Sequence, residues 1–426
     1  MKFVNYLVLC ILLAFASHGE GLSIIRDAEI ESYLNELTKP LFKAANLKAK
    51  TDIIIVNDHE LNAFTIPGNK IFIHTGLIAN CDSPEMLAGV IAHEIGHIIG
   101  GHFFSRQDVI NKNNVLAVAS TFLGLMVAGL NQEIGAGIAM GGTHSALSNI
   151  FAFTRSQESM ADIAALDILK KTDISTKGLS SILRKIYAQE RIVHSDNTYY
   201  RTHPLSMERI NLIDKNSYLG TQLNNFNFKL IKSKITAYLA ENNGHNLLKK
   251  IKHSNNPDDL YTKSILYLRQ NKFQDSRVQL SQLIKAYPSY PYFYELAGII
   301  SFKQNQYDDF ISNYEKAIKL TSNNILRIEF GTNLLSIYES TNNQKYFNLA
   351  FNHLLSALST NPDYMTYYNI ARAYNLKGDP CNSNYYLAKA ALLIGDEKEA
   401  KFYANTALKQ AGNNPKLKAK IQDLLK

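Results

Sequence analysis

Residues 83–97 read Ser-Pro-Glu-Met-Leu-Ala-Gly-Val-Ile-Ala-His-Glu-Ile-Gly-His. Ser83 is an N-cap residue type, Pro84 suits the first helical position and Glu85 places an acid in the first turn, so a helix starts here. It runs through Met86, Leu87, Val90 and Ile91 into the histidines. Residues four apart share a helix face, so His93 and His97 can aim imidazole nitrogens at one metal ion. Glu94 stands one step round, near such an ion but outside its donor set, where it can take a proton from water. Gly96 leaves room beside the metal.

A zinc site that does chemistry needs a third protein donor and one open position. Glu158 is the best placed, in Arg155-Ser156-Gln157-Glu158-Ser159-Met160-Ala161-Asp162. The apolar residues Ile163, Leu166 and Leu169 put this run on a second helix. Asp162 lies one turn beyond Glu158 on the same face. It reads either as the acceptor for the outer N–H of a ligating histidine or as a solvated helix carboxylate. His102, after Gly100-Gly101, is set aside as a ligand, and His74 and His144 have no supporting spacing.

Upstream, the apolar spacing from about Ile24 to Lys48 is helical, and Ile53-Ile54-Ile55-Val56 reads as a buried strand. Within 61–78, Pro67-Gly68-Asn69 is a turn signal between two strand candidates, which predicts a hairpin. Segment 115–142 is almost wholly apolar, but Val115–Leu130 is shorter than the roughly 20 residues needed to cross a bilayer. It reads as a buried or mobile hairpin near the site, or as a surface that touches membrane or apolar substrate.

The C-terminal part is a repeat array with blocks beginning near Pro257, Pro291, Gly331 and Tyr364. The spacing of 34 from Pro257 to Pro291 is the tetratricopeptide period. Tyr294, Ala297, Gly298, Tyr314 and Ala317 fill the bulky and small positions of the second block, and Pro288 and Pro362 stop helices. The spacing of 40 from Pro291 to Gly331 predicts a longer loop between the second and third blocks. The fold class expected is α+β: a mainly helical domain with a small β-sheet, then an all-α solenoid.

The chain has 426 residues and a formal charge of +8, but its lysines are scattered and no dense basic block marks a nucleic-acid footprint. Lys2, the apolar stretch Val4–Ala16 and Ala14-Phe15-Ala16 have the layout of a cleavable signal peptide over 1–19. The expected divisions are then 20–225 for the metal-bearing domain, 226–256 for connecting helices and 257–426 for the repeats. Cys81 and Cys381 fall in different divisions, so a disulfide between them is the less favoured reading.

His93-Glu94-x-x-His97, then Glu158-x-x-Ala161-Asp162, with Asn62-Ala63-Phe64 and Pro67-Gly68 upstream, resembles the BepA/HtpX-type zinc metallopeptidases, the prenyl-protease-like gluzincins. An exported chain with tetratricopeptide repeats is most similar to the BepA-like periplasmic branch. The resemblance implies a zincin-type peptidase domain with one Zn2+ per chain, held by His93, His97 and Glu158, with Glu94 as general base. It implies that Asn62, Ala63 and Phe64 belong to an edge strand that pairs with substrate backbone. The segment Thr202-His203-Pro204…Arg209 matches a His-Pro…Arg segment of such enzymes, which brings His203 towards the zinc or the oxyanion and gives Arg209 an orienting role. The bland reading is a helix start set by Pro204 beside an incidental histidine. By resemblance the substrates are misfolded or stalled envelope proteins in the periplasm. The repeats would engage the outer-membrane assembly machinery, with a chaperone-like part in quality control and peripheral membrane contact. The rival reading is a non-catalytic periplasmic chaperone or scaffold.

Overall fold

The computed structural model describes residues 24–47, 50–66, 68–102, 153–193, 203–359, 362–412 and 414–425. The signal peptide over 1–19, segment 115–142, Pro67 and His144 lie outside the described residues. The chain divides into two compact units that meet in sequence at Pro288 and Ser289.

In the first unit, four strands form one sheet in the order β1-β2-β4-β3. They are β1 (Ile24–Ile25), β2 (Asp52–Val56), β3 (Ala63–Ile66) and β4 (Lys70–His74). β2 and β4 run parallel, while β1 and β3 are antiparallel to their neighbours. The hairpin expected around Pro67-Gly68-Asn69 is β3–β4, with Ile66 opposite Lys70 and positive φ at Gly68 and Asn69. β3 is therefore an edge of the sheet. The helix expected from Ile24 begins later. Ile24 and Ile25 pair with β2, and α1 spans Ala28–Ala44. The reason is Asp27, whose carboxylate accepts from the N–H groups of Glu29 and Ile30 and so fixes the helix start.

The site is built by α3 (Pro84–Ile99), which follows the short α2 (Thr75–Asn80). It is sandwiched by α4 (Arg155–Lys171) and α5 (Lys177–Val193). Two glycines allow this. A Cβ at Gly96 would stand 2.6 Å from the Ala161 carbonyl oxygen, and one at Gly89 would stand 2.8 Å from the Leu179 backbone. The space opened by Gly96 is thus taken by the α4 backbone, which brings Glu158 and Asp162 against the histidines. Of the apolar residues that signalled α4, Leu166 and Leu169 are buried but Ile163 is 57% exposed. The buried stripe runs through Ala161, Ala165, Ile168 and Leu169 instead. A capping box of Thr154 and Gln157 fixes the start of α4.

α6 (Met207–Lys215) is capped by Ser206, which accepts from the Arg209 N–H. Pro204 lies before the cap and does not open the helix. α7 (Asn225–Leu239), a single 3-10 turn and α8 (His245–Ile251) lead to the hairpin of α9 (Pro257–Arg269) and α10 (Phe273–Ala286). Lys234 on α7 bridges Asp27 (2.7 Å) and Glu29 (3.1 Å), and the Tyr261 hydroxyl donates to Glu29 at 2.7 Å. This buried cluster fastens the first helical hairpin to the start of α1.

The second unit is a succession of helical hairpins: Pro291–Lys303 with Tyr307–Thr321, Asn324–Thr341 with Gln344–Ser356, Tyr364–Leu376 with Pro380–Leu393, and Glu397–Gln410 with Pro415–Asp423. The third block does not open at Gly331 after a long loop. Its first helix starts at Asn324, capped by Asn323, and Gly331 sits inside it where a Cβ would meet Leu354. The extra residues lengthen that first helix, which has 18 residues where Pro257–Arg269 and Pro291–Lys303 have 13 each. Cys81 and Cys381 are both buried free thiols. No described helix is long and apolar enough to cross a membrane.

Candidate metal centre

α3 points His93 and His97 towards α4, with their Nε2 atoms 3.1 Å apart. Glu158 faces both: its Oε2 lies 3.3 Å from His93 Nε2 and its Oε1 lies 3.2 Å from His97 Nε2. All three side chains are fully buried. The outer nitrogen of His93 lies 2.9 Å from Asp162 Oδ1, and Asp162 is fully buried, not a solvated carboxylate. An imidazole that donates through Nδ1 carries a lone pair on Nε2. Two such nitrogens and a carboxylate this close repel unless positive charge sits among them. Tetrahedral donors around 2.0–2.1 Å from a zinc ion would stand roughly 3.3 Å from one another. The donor set fits a divalent metal ion in both chemistry and spacing.

Arg209 closes the far side. Its Nε and Nη2 donate to the two oxygens of Asp162 at 2.7 and 2.9 Å, and Nη1 contacts Glu158 Oε2 at 2.5 Å and the Pro204 carbonyl at 3.0 Å. His203 enters from the same segment, with Nδ1 at 3.1 Å from Glu158 Oε1 and Nε2 at 3.5 Å from Glu94 Oε1. His93, His97, Glu158 and His203 offer donor atoms that all lie within 4.8 Å of one another.

The electrostatics follow from burial and from these neighbours. Burial disfavours the charged form of Glu158, yet the positive fields and hydrogen bonds of His203 and His93 outweigh it and hold the carboxyl well below the usual range. Asp162 is likewise lowered against burial, by its bonds to His93 and Arg209. Burial opposes charge on His93 too, but the Asp162 and Glu158 carboxylates push it up to about 10. Burial pushes His97 well below its ordinary value. Glu94 is pushed up, chiefly by burial.

Glu94 is fully buried between α3 and the sheet. Its Oε2 accepts from Thr65 Oγ1 at 2.8 Å, while Oε1 makes no hydrogen bond among the described residues and looks towards His203. Asn62 directly precedes β3, and Ala63 and Phe64 open it. All three are buried.

Three neighbours escaped the sequence reading. Thr65 carries no motif signal and reaches Glu94 only because β3 packs on α3. His102, set aside as a ligand, lies with Nδ1 at 2.9 Å from His97 Nδ1, on the side away from Glu158. Gly101 makes this return with φ +59, and the His102 N–H bonds the His97 carbonyl. Gly100-Gly101 was the available signal. Phe153 stacks on the His97 ring at 3.7 Å, a contact that nothing local announces. His74 is buried at the end of β4, 3.5 Å from an Asp58 oxygen and apart from the His93–His97 group.

The segment holding every one of these groups, residues 26–217, matches the model of peptidase family M48. Over that segment the chain is similar to peptidase family M48. Over 321 residues the chain is 24% identical to the beta-barrel assembly-enhancing protease of Escherichia coli O157:H7, covering 72% of this chain and 65% of that protein. The chain therefore spans slightly less than two thirds of the length of that relative. The metalloprotease LoiP of Escherichia coli K12 is 30% identical over 150 residues, 35% of this chain and 56% of LoiP. The mitochondrial metalloendopeptidase OMA1 of Schizosaccharomyces pombe is 23% identical over 186 residues, 43% of this chain and 52% of OMA1. The M48 match ends just beyond α6, so His203 and Arg209 fall inside the domain and the helical hairpins fall outside it.

Proposed function

We propose that the chain is a zinc-dependent metalloendopeptidase, with His93, His97 and Glu158 as metal ligands and Glu94 as general base. The observation that carries this is the convergence of two imidazole Nε2 atoms on both oxygens of one buried glutamate, with a second glutamate beside them. Zinc bound there would supply a Lewis acid that activates water and polarises a peptide carbonyl. The Oε1 atom of Glu94 takes the proton of the attacking water and passes it to the leaving amine. His203 Nε2 stands where it can donate to the developing oxyanion. Arg209 neutralises Glu158 and Asp162 together and keeps both turned inward. Edge strand β3, with Asn62, Ala63 and Phe64, is the surface for an extended substrate backbone.

In this reading substrates are misfolded or stalled envelope proteins in the periplasm, and the repeats seat them or dock the chain on the outer-membrane assembly machinery. Support comes from the relative named for β-barrel assembly and from the hairpin array of the second unit. A non-catalytic scaffold would not need Glu94 buried with one oxygen held and the other available. A second reading concerns the resting state: because His203 belongs to the four-residue donor group, it can fill the fourth metal position and hold the site shut.

The test is zinc content together with cleavage of an unfolded protein before and after chelation. Cleavage that survives stripping of the metal would refute the assignment. Replacing His203 with Ala separates its two roles: a faster enzyme marks a blocking residue and a slower one an oxyanion donor.

A further inference from the structure

We propose that Thr65 is a positioning residue that holds the Glu94 carboxylate from the same strand that would receive the substrate; this rests on the metallopeptidase reading above. Thr65 and Glu94 are both fully buried, and the Thr65 hydroxyl donates to Glu94 Oε2 at 2.8 Å. That hydrogen bond occupies one oxygen of Glu94 and leaves Oε1 for the proton.

Thr65 also has a particular place in the ladder. The His74 N–H donates to the Asn62 carbonyl at 3.0 Å, which makes Asn62–His74 a hydrogen-bonded pair. Pair types alternate along an antiparallel ladder, so Phe64–Phe72 and Ile66–Lys70 are of the same kind. Ala63 and Thr65 therefore turn their own N–H and C=O away from β4. No described strand pairs with that outer edge. A peptide added there would bond to the Thr65 main chain while the Thr65 side chain grips the base. Substrate seating and base orientation meet in one residue, and the hydroxyl serves only the second.

The experiment uses the full chain with T65V, T65S, E94A and T65V/E94A. T65V removes the donor but keeps shape and backbone. In cleavage of fluorescein-labelled casein, T65V should lower kcat by about tenfold or more with KM within about twofold, and T65S should restore kcat to within about threefold. The second readout is thermal unfolding of the metal-free proteins. T65V should lower the melting temperature, T65S should not, and in the E94A background T65V should add nothing. T65V with the wild-type kcat, or T65V and T65S falling alike, overturns the proposal. Wild-type cleavage with no Thr65–Glu94 coupling in melting also overturns it and leaves the protease intact. Coupling in melting with no cleavage by any variant, the wild type included, brings down the protease reading and the positioning role with it.

Discussion

The helix pair around the metal centre and the hairpins of the second unit solve the problem of close helix packing differently. Between α3 and α4 the approach is set by backbone: Gly96 lies under the Ala161 carbonyl, and the space so closed is filled by His93, His97, Glu158, Asp162 and Arg209, all buried. In the repeats the approach is set by side chains. Gly331 faces Leu354, Gly298 faces the ring of Tyr314, and Tyr314 stacks with Phe330 at 5.3 Å. A buried polar group is tolerated only with a partner in the right place, so the first arrangement fixes geometry to fractions of an ångström. Apolar packing accepts substitutions of similar volume, so the second fixes only spacing. The contrast separates a part held by placed polar groups from a part held by apolar spacing.

The sharpest way to break the comparison is Glu94→Gln. It should keep the metal and lose cleavage by about 10²–10⁴-fold, the usual worth of a general base. A variant that cleaves normally would show that Glu94 is not the base. Next is Asp162→Ala, which strips the acceptor from His93 Nδ1. Metal affinity measured by competition with a chelator should weaken by about 10–100-fold. An unchanged affinity would mean that Arg209 and Glu158 alone orient the ring. Smaller still is the glycine pair. Gly96→Ala pushes on backbone and should cost about 1–3 kcal/mol, with loss of metal, whereas Gly331→Ala pushes on the end of a leucine and should cost less. Equal losses in thermal unfolding would erase the distinction. Least of all is Asn342→Gly, at the left-handed turn between Asn324–Thr341 and Gln344–Ser356. Glycine accepts that conformation freely, so stability should stay within about 0.5 kcal/mol.

The same contrast explains what could be read in advance. The spacing of His93 and His97 and the caps around Pro84 are local, and α3 lies where they place it. Glu158 and Asp162 were found because helical phase ties them together, although Ile163 was a false witness to the buried face. Thr65, His102 and Phe153 were missed because each acts through a contact that exists only once β3, the Gly101 turn and the start of α4 have packed on α3. In the repeats, proline starts were reliable, and Pro257 and Pro291 each open a helix. Gly331 misled because a glycine at a helix crossing and a glycine at a helix start leave the same mark in a sequence. The recurring signal there is the left-handed residue between paired helices, Asn271, Asn305, Asn342 and Gly378, which hydrophobic periodicity does not see.

The cluster of Lys234, Asp27, Glu29 and Tyr261 has a consequence in time. Tyr261 and Glu29 are separated by 232 positions, so the first buried carboxylates of the domain receive their last donor only after most of the first unit has left the ribosome. At about 5–20 residues per second that is a delay of tens of seconds. Until the α9 hairpin arrives, Glu29 is without its bond from the Tyr261 hydroxyl. The order of synthesis thus makes the first helical hairpin the closing step of the first unit.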